Sequence, residues 1–239
     1  MHNEMNDMRI SGSGRINGGS YNDVRISGWG EVTGDLDCND FSISGSGSVA
    51  GNLKAREATI SGSGKIGGDV DCTERLKISG SAKISGAVKC GALMVSGDCS
   101  IQQDVSAEKI RISGSSKIGG NCSAEEFRAE GIFNVGGLLN AGTVELRLHA
   151  WGSSVQEIGG EAITVSRHMH GWLSKLIGGK YLLETGTIEG DEVSLEGVKA
   201  NVVRGRNVRI GEGCDIGLVE YSGTFEQDND ASVKSNQKI

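Results

Sequence analysis

The chain contains no proline, and aromatic residues make up only 4% of its 239 residues. A core must therefore be built mainly from Ile, Val, Leu, Ala and Cys. The sequence also lacks any run of about 18 apolar residues, so we expect no segment to span a membrane. The formal net charge of −7 argues against a dedicated nucleic-acid binder.

The N-terminus lacks the features of a secretory signal peptide, because residues 1–8 are too few and too polar. We therefore expect a cytoplasmic protein whose six cysteines are reduced thiols. Glycine, in contrast, is abundant, with 39 residues. It does not recur at every third position, which excludes a collagen-like chain, and the regular apolar positions argue against disorder.

Many of these glycines belong to a phrase of the form Ile/Val-Ser-Gly that recurs along the first half of the chain. The phrase begins at Ile10, Ile26, Ile43, Ile60, Ile78, Val95 and Ile112. Most steps between successive phrases are equal; the first is one residue shorter, and the step from Ile60 to Ile78 is one residue longer. A nearly fixed period of this kind indicates a repeat architecture.

The pattern inside one period predicts three short strands. Each copy of the repeat is numbered from the first residue of its phrase, which is position 0, and Ala129 begins an eighth copy. Residues expected to point into the core then recur in pairs two apart, at −2 and 0, at 4 and 6, and at 10 and 12. Alternation by two is typical of β-strands. Glycine at positions 2 and 8 is expected to supply left-handed backbone at two sharp corners. Position 9 is often Asp, Asn or Gly, which is typical of turns, and the third corner should be looser.

We therefore predict an all-β fold, a right-handed parallel β-helix (β-solenoid) of three-sided cross-section with about 17 residues per turn. A left-handed coil of hexapeptides needs three units per turn, and only the turn from Ile60 to Ile78 is long enough for them. A single coil cannot bury enough apolar surface to be stable, so stability depends on the stacking of coils.

The repeat divides the chain into five segments. They are a short N-terminal tail at 1–8, β-helix repeats at 9–165, a loop or short amphipathic insertion at 166–187, C-terminal coils at 188–225 and a polar tail at 226–239. In the insertion, Trp172, Leu173, Leu176 and Ile177 lie at helical spacing. A loop folded over the flank of the solenoid is the simpler interpretation, and contact with a membrane or partner is the alternative.

The chain resembles the bactofilins in its short coils with these corners, in the stretches 188–195 and 202–221, and in its lack of an enzyme motif. Bactofilins are bacterial polymer-forming cytoskeletal proteins, and the likeness is to a Gram-positive bactofilin-like type. It covers most of residues 9–225. The resemblance implies end-to-end polymerisation without nucleotide into filaments that serve as a scaffold for cell shape, the cell envelope or motility. It also implies envelope or flagellar assembly proteins as partners, and contact with the inner face of the membrane. Typical bactofilins have proline-rich tails, which this chain lacks.

Cysteine and histidine are the candidate residues for a metal or catalytic site. Cys38, Cys72 and Cys90 share position 12, where small inward side chains fit, so we predict a core ladder; no C-x-x-C zinc spacing occurs. Three histidines, His149, His168 and His170, invite comparison with β-helical carbonic anhydrases. Because the left-handed period is absent and no carboxylate is placed to help, we favour exposed loop histidines. We therefore predict no catalytic residue, metal or cofactor.

Two outward positions of the repeat carry basic residues. These are Arg25, Lys77, Arg111 and Arg128 at position −1, and Arg15, Lys65, Lys83 and Lys117 at position 5. A strip of this kind could attract anionic lipid or wall polymer. A solvated strand face is the simpler interpretation.

The terminal coils of a solenoid expose unpaired strand edges that pair with other chains unless they are blocked. We predict a polymer interface with Ile10 and Ile16 at one end and Tyr221 and Phe225 at the other. Two alternatives stay open at this point. One is a β-helical acyltransferase or metal hydratase, and the other is a monomeric β-solenoid adaptor.

Overall fold

The computed structural model describes residues 6–148, 152–167 and 181–239, and the chain divides into two compact units. Unit 1 is Met1–Gly119 and unit 2 is Gly120–Ile239. All regular secondary structure in the described residues is β-strand, and the strands pair in parallel. The register of Ile26 beside Ile43, and of Ile43 beside Ile60, has the predicted period. The prediction of an all-β parallel β-solenoid is therefore confirmed.

In unit 1, long and short strands alternate along the chain. The strands are β1 (Met8–Ile10), β2 (Ser13–Ile16), β3 (Gly19–Ile26), β4 (Trp29–Val32), β5 (Leu36–Ile43), β6 (Ser46–Val49), β7 (Leu53–Ile60), β8 (Ser63–Ile66), β9 (Val70–Ile78), β10 (Ser81–Ile84), β11 (Val88–Val95), β12 (Asp98–Ile101), β13 (Val105–Ile112) and β14 (Ser115–Ile118). Long strands pair with long strands and short with short. As a result Ile26, Ile43 and Ile60 lie side by side on successive coils.

Burial along one long strand shows how a coil forms three faces. In β5, Leu36 and Cys38 are buried, two residues then point outward, and Phe41 and Ile43 are buried again. The third corner therefore lies inside a continuous strand. The extra residue of the longest turn in unit 1 also lies there, since pairing shifts between Cys72 and Arg75 of β9. A corner that absorbs an added residue is the looser corner that the sequence predicts.

The corner glycines have a different role from the one expected. The described glycines with positive φ are Gly19, Gly152, Gly197 and Gly213, and none of them occupies position 2. A Cβ atom placed on Gly62 would instead overlap the carbonyl oxygen of Gly45, one coil earlier. The prediction of left-handed backbone at this corner is therefore wrong. Close packing of one corner on the next requires the glycine.

At the second corner, an Asp or Asn at position 9 connects successive coils. Asp35 Oδ1 accepts the backbone N–H of Asn52, Asn52 Oδ1 accepts that of Asp69, and Asp69 Oδ1 accepts that of Ala87, at 2.7–2.8 Å. Asn121 does the same for Leu138 in unit 2, at 2.9 Å. We call this arrangement the Asx ladder. The turn chemistry predicted for position 9 thus serves contact between coils.

In unit 2 the strands are longer and the period changes. The strands are β15 (Cys122–Ala129), β16 (Ile132–Leu148), β17 (Ser153–Arg167), β18 (Leu183–Leu195), β19 (Val198–Ile210), β20 (Asp215–Gln227) and β21 (Ser232–Lys238). Ala129 pairs with Leu146, which keeps the period of unit 1, whereas Leu195 pairs with Ile210, two residues sooner. The coil persists with a shorter turn.

The predicted segment boundaries differ from the observed strands at two places. β17 continues to Arg167 and β18 begins at Leu183, so both edges of the expected insertion are in strands. The expected polar tail contains β21, which pairs in parallel with β20 through Ile216 and Val233. The winding sense of the coil stays a prediction.

Candidate assembly interface

The predicted interface residues of unit 1 lie on strands that have a partner on one side. Ile10 of β1 pairs with Ile26, and Ile16 of β2 pairs with Val32. Among the described residues, no strand covers the opposite edge of β1 or β2. Val32 is fully buried, whereas Ile16, at the same repeat position, is partly exposed. The exposure of Ile16 follows from the missing neighbouring coil.

The predicted interface residues of unit 2 form an aromatic pair on β20. The rings of Tyr221 and Phe225 stack with centroids 5.4 Å apart and an interplanar angle of 30°. Pairing with β21 ends where Tyr221 meets Lys238, so no described strand covers the far side of Phe225. Val208, the ladder partner of Phe225 on β19, is 2% exposed, whereas Phe225 is partly exposed.

Two groups of predicted site residues cannot be placed. Trp172, Leu173, Leu176 and Ile177, offered as a membrane or partner contact, lie outside the described residues. His149, His168 and His170 also lie outside them. Within the described ranges, no group of three His, Cys, Asp or Glu residues could hold a metal ion. None of those ranges contains a helix long and apolar enough to cross a membrane.

The predicted cysteine ladder is present in the core of unit 1. Cys72 pairs in register with Cys90, with Ala55 and Ala107 as neighbours in the same row. All six cysteines are free thiols and buried. Burial raises the pKa of Cys72 and Cys90 from the ordinary value of 9.0 to about 12, so both stay protonated at neutral pH. Thiols of this kind are unsuited to nucleophilic or metal chemistry.

Ion pairs connect coils at the third corner of unit 1. Arg56 contacts Asp40 at 2.7 Å and Glu74 at 2.8 Å, on the preceding and following coils. Arg75 contacts Glu57 at 3.0 Å, and the hydrogen bonds that Arg75 donates lower the pKa of Glu57. Exposed pairs of this kind each contribute little to stability. They nevertheless cancel charge at this corner.

The predicted strip of basic residues separates into two sets. Arg15 contacts Glu31 at 2.8 Å, Arg25 contacts Asp23 at 2.7 Å, and Arg128 contacts Glu145. The other five have no ion-pair partner among the described residues, namely Lys65, Lys77, Lys83, Arg111 and Lys117. All five are exposed. The set without partners lies entirely in unit 1.

A solenoid with uncovered strand edges and a closed apolar core has the features of a structural protein. The comparison with protein families agrees with this class. The model of the bactofilins, described as polymer-forming cytoskeletal, matches residues 5–103 and 63–141. The chain belongs to the bactofilin family.

Two proteins of Bacillus subtilis (strain 168) are similar to the chain. Uncharacterized protein YhbF is 44% identical over 102 residues, and uncharacterized protein YhbE is 40% identical over 103 residues. Each alignment covers 43% of this chain. It covers 42% of YhbF and 43% of YhbE, so the similarity spans about two fifths of either relative. No solved structure matches the chain.

Sequence reasoning missed that part of the basic strip is neutralised. A signal was present, because Arg15 and Glu31 occupy the same repeat position on successive copies. In a parallel coil, residues at the same position lie side by side. Opposite charges at one position therefore predict an ion pair between coils.

Proposed function

We propose that the chain is a structural cytoskeletal protein that assembles end to end, without nucleotide, into filaments. The uncovered strand edges carry this proposal. At each edge an apolar side chain is partly exposed, whereas the residue that pairs with it on the adjacent coil is buried. These side chains are Ile16, beside Val32 in unit 1, and Phe225, beside Val208 in unit 2. An unpaired edge of this kind is a template for a further strand. Polymer formation is also the described property of the family.

Phe225→Arg tests the proposed edge, and Glu226→Arg is the control. Glu226 is the next residue of β20 and is exposed, so its substitution leaves the apolar edge intact. We expect filaments of the parent and of Glu226→Arg in electron micrographs. Phe225→Arg should give dispersed particles with an unchanged β-sheet circular dichroism spectrum, because a guanidinium would be buried without a partner. Filaments of unaltered length from Phe225→Arg would remove this edge from the interface.

The same measurement separates the alternatives that the sequence left open. Dispersed parent protein at every salt concentration would favour a monomeric adaptor. Turns that differ in length between β15–β16 and β18–β19 do not supply the uniform hexapeptide period expected of an acyltransferase or hydratase. We therefore propose a function without catalysis, metal or cofactor, which matches the structural character of the family.

The cellular role belongs to the same proposal. The family resemblance supports a scaffold for cell shape, the envelope or motility, with envelope or flagellar assembly proteins as partners. It also supports a cytoplasmic location with contact at the inner face of the membrane. A fluorescent fusion imaged in its native cell tests this role, and a diffuse signal with no effect of deletion on shape or motility would count against it.

A further inference from the structure

The five residues of the predicted basic strip that have no ion-pair partner among the described residues form one surface of unit 1, which we call the basic edge: Lys65, Lys77, Lys83, Arg111 and Lys117. They lie on the two strand rows that flank the Ser-Gly-Ser corner, within residues 59–66, 77–84, 94–101 and 111–118. Those four segments contain a single carboxylate, Asp98. The basic edge is therefore a concentration of positive charge on a chain whose net charge is −7.

The register of the strands places several of these positive charges close together, which should destabilise unit 1. Lys83 lies directly beside Lys65 on the adjacent coil, and Lys117 follows beyond Ser100. Neighbouring strands are about 4.8 Å apart, and like charges directly opposite each other destabilise a sheet. Elsewhere in unit 1, Arg15 and Arg56 have carboxylates on adjacent coils. The basic edge lacks that neutralisation, which an external anionic surface would supply.

A surface with the opposite character occurs in unit 2. A groove of about 990 Å³ is lined by exposed carboxylates that have no ion-pair partner among the described residues: Glu125, Glu157, Glu161 and Asp191. Two arginines also line it, but both are ion-paired, Arg204 with Glu189 and Glu220 and Arg206 with Glu192. We call it the acidic groove. Leu138, which is 40% exposed, also lines it. Unit 2 has 17 Asp and Glu against 11 Lys and Arg, whereas unit 1 has 14 against 13.

We infer that the basic edge of one copy docks on the acidic groove of a second copy. The two surfaces complement each other in charge, because the five cations of the basic edge and the four named carboxylates of the acidic groove have no ion-pair partner among the described residues. An anionic membrane would also attract the basic edge, but it would repel the rest of a chain with a net charge of −7. A second copy offers a groove in which four unpaired carboxylates are gathered and the two arginines are already ion-paired.

The contact joins different surfaces of identical chains, so each copy can engage two neighbours. It is separate from the end-to-end contact proposed above and would associate filaments side by side. Because both surfaces are exposed and charged, the attraction should be strong at about 0.05 M salt and largely screened at about 0.5 M.

Charge reversal on each surface tests the contact. The edge variant is Lys65→Glu with Lys83→Glu, and the groove variant is Glu157→Lys with Asp191→Lys. Both are made in full-length protein carrying Phe225→Arg, and association is followed by sedimentation velocity at about 0.05 M salt. Each variant alone should associate about tenfold more weakly than the Phe225→Arg parent. An equimolar mixture should recover association, because every basic surface then meets an acidic one.

The control for the edge variant is Lys54→Glu with Lys89→Glu. These lysines are exposed on a different face of unit 1, and the change in net charge is the same. The control should associate like the parent, and circular dichroism should show intact sheet in all variants. Association that the edge and groove variants retain, or a mixture that stays dispersed, would overturn the inference.

Binding to lipid vesicles tests whether the basic edge binds an anionic membrane instead of a second copy of the chain. If Lys65→Glu with Lys83→Glu abolishes binding to phosphatidylglycerol vesicles while copies do not associate in solution, the edge binds lipid and the inference fails. The end-to-end proposal has its own readout. In protein without Phe225→Arg, single filaments from the edge variant beside bundled filaments from the parent would show that only the lateral contact was lost.

Discussion

Asp35 Oδ1 accepts a hydrogen bond from the backbone N–H of Asn52, one coil further along the chain, at 2.7 Å. The same oxygen occupies the space that a Cβ atom on Gly51 would need. Position 9 of one coil and position 8 of the next are therefore coupled. Asn52 with Gly68, and Asp69 with Gly86, repeat the relationship. Where position 9 is Ala87, position 8 of the next coil is Gln103 instead of glycine.

We predict that Asn52→Ala lowers the free energy of unfolding by about 1 kcal/mol, because the N–H of Asp69 loses its acceptor. Urea unfolding followed by circular dichroism measures the change. Lys54→Ala, at an exposed residue of β7, the strand that follows Asn52 directly, is the control and should be within about 0.5 kcal/mol of the parent. Equal effects of the two substitutions would show that the Asx ladder contributes nothing specific.

The break in the ladder predicts a coupled pair of substitutions. Ala87→Asn alone should destabilise the protein, because the new side chain would meet the Cβ of Gln103. Combined with Gln103→Gly, it should form the missing hydrogen bond to the next coil. We expect a favourable coupling energy of about 1–2 kcal/mol in a double-mutant cycle of unfolding free energies. Additive effects would mean that positions 9 and 8 are independent.

The corner glycines predict a contrast between two equivalent substitutions. Gly62→Ala should cost about 3 kcal/mol, because its Cβ overlaps the carbonyl oxygen of Gly45 and the backbone must move. Gly12→Ala should cost far less, since nothing lies within 4 Å of a Cβ atom at that residue. Thermal unfolding compares the two variants. Similar losses of stability would show that glycine is needed for backbone conformation instead of close packing.

Gly12 also gives a second test of the end-to-end proposal. At equivalent glycines the added Cβ points toward the preceding coil, as Gly28 does toward Gly12. If a partner stacks another coil on this edge, Gly12→Ala should shorten filaments without unfolding the protein, as judged by electron microscopy and circular dichroism. Filaments of normal length would mean that the partner does not approach this corner.

The buried thiols predict a loss of stability at alkaline pH. Burial raises the folded-state pKa of Cys72 to about 12 from the ordinary value of 9.0. The contribution of the buried Cys72 thiol to the free energy of unfolding is fully present below pH 9.0. It falls as the pH rises above that value, because the unfolded state loses its proton first, and it is lost by about pH 12. Each such thiol makes stability fall by about 1.4 kcal/mol per pH unit within this window. Cys72→Ala should flatten the dependence in urea titrations from pH 8 to pH 11, and an unchanged slope would contradict the assignment.

Much of the coil could be predicted from the sequence because its period was visible. The stacked column of Ile26, Ile43 and Ile60 and the inward cysteines follow directly from residue spacing. The role of the corner glycines could not be predicted, because a sequence does not show how closely two backbones approach. The period becomes harder to follow in unit 2, where the Ile-Ser-Gly phrase is absent and the turn between β18 and β19 is shorter.

For the proposed interface residues, the sequence predicts which side chains belong to the core but not which of them lack a neighbouring strand. Position in the repeat shows that Ile16 and Phe225 belong to apolar columns, and the structure adds that each has a described strand on one side only. The role of β21 was missed because its sequence, Ser-Val-Lys-Ser-Asn-Gln-Lys, is nearly all polar. Its backbone pairs with β20 regardless of side-chain polarity.

The direct pairing of Ile43 with Ile60 means that residues 43–59 form one complete turn of unit 1, a module of the repeat. Because both of its boundaries fall at the same corner, deleting or duplicating this module would rejoin the chain in frame with the columns above and below. Changes in length by one whole turn should therefore leave every later row aligned, whereas a single added residue should be accommodated only at the third corner, as it already is in β9.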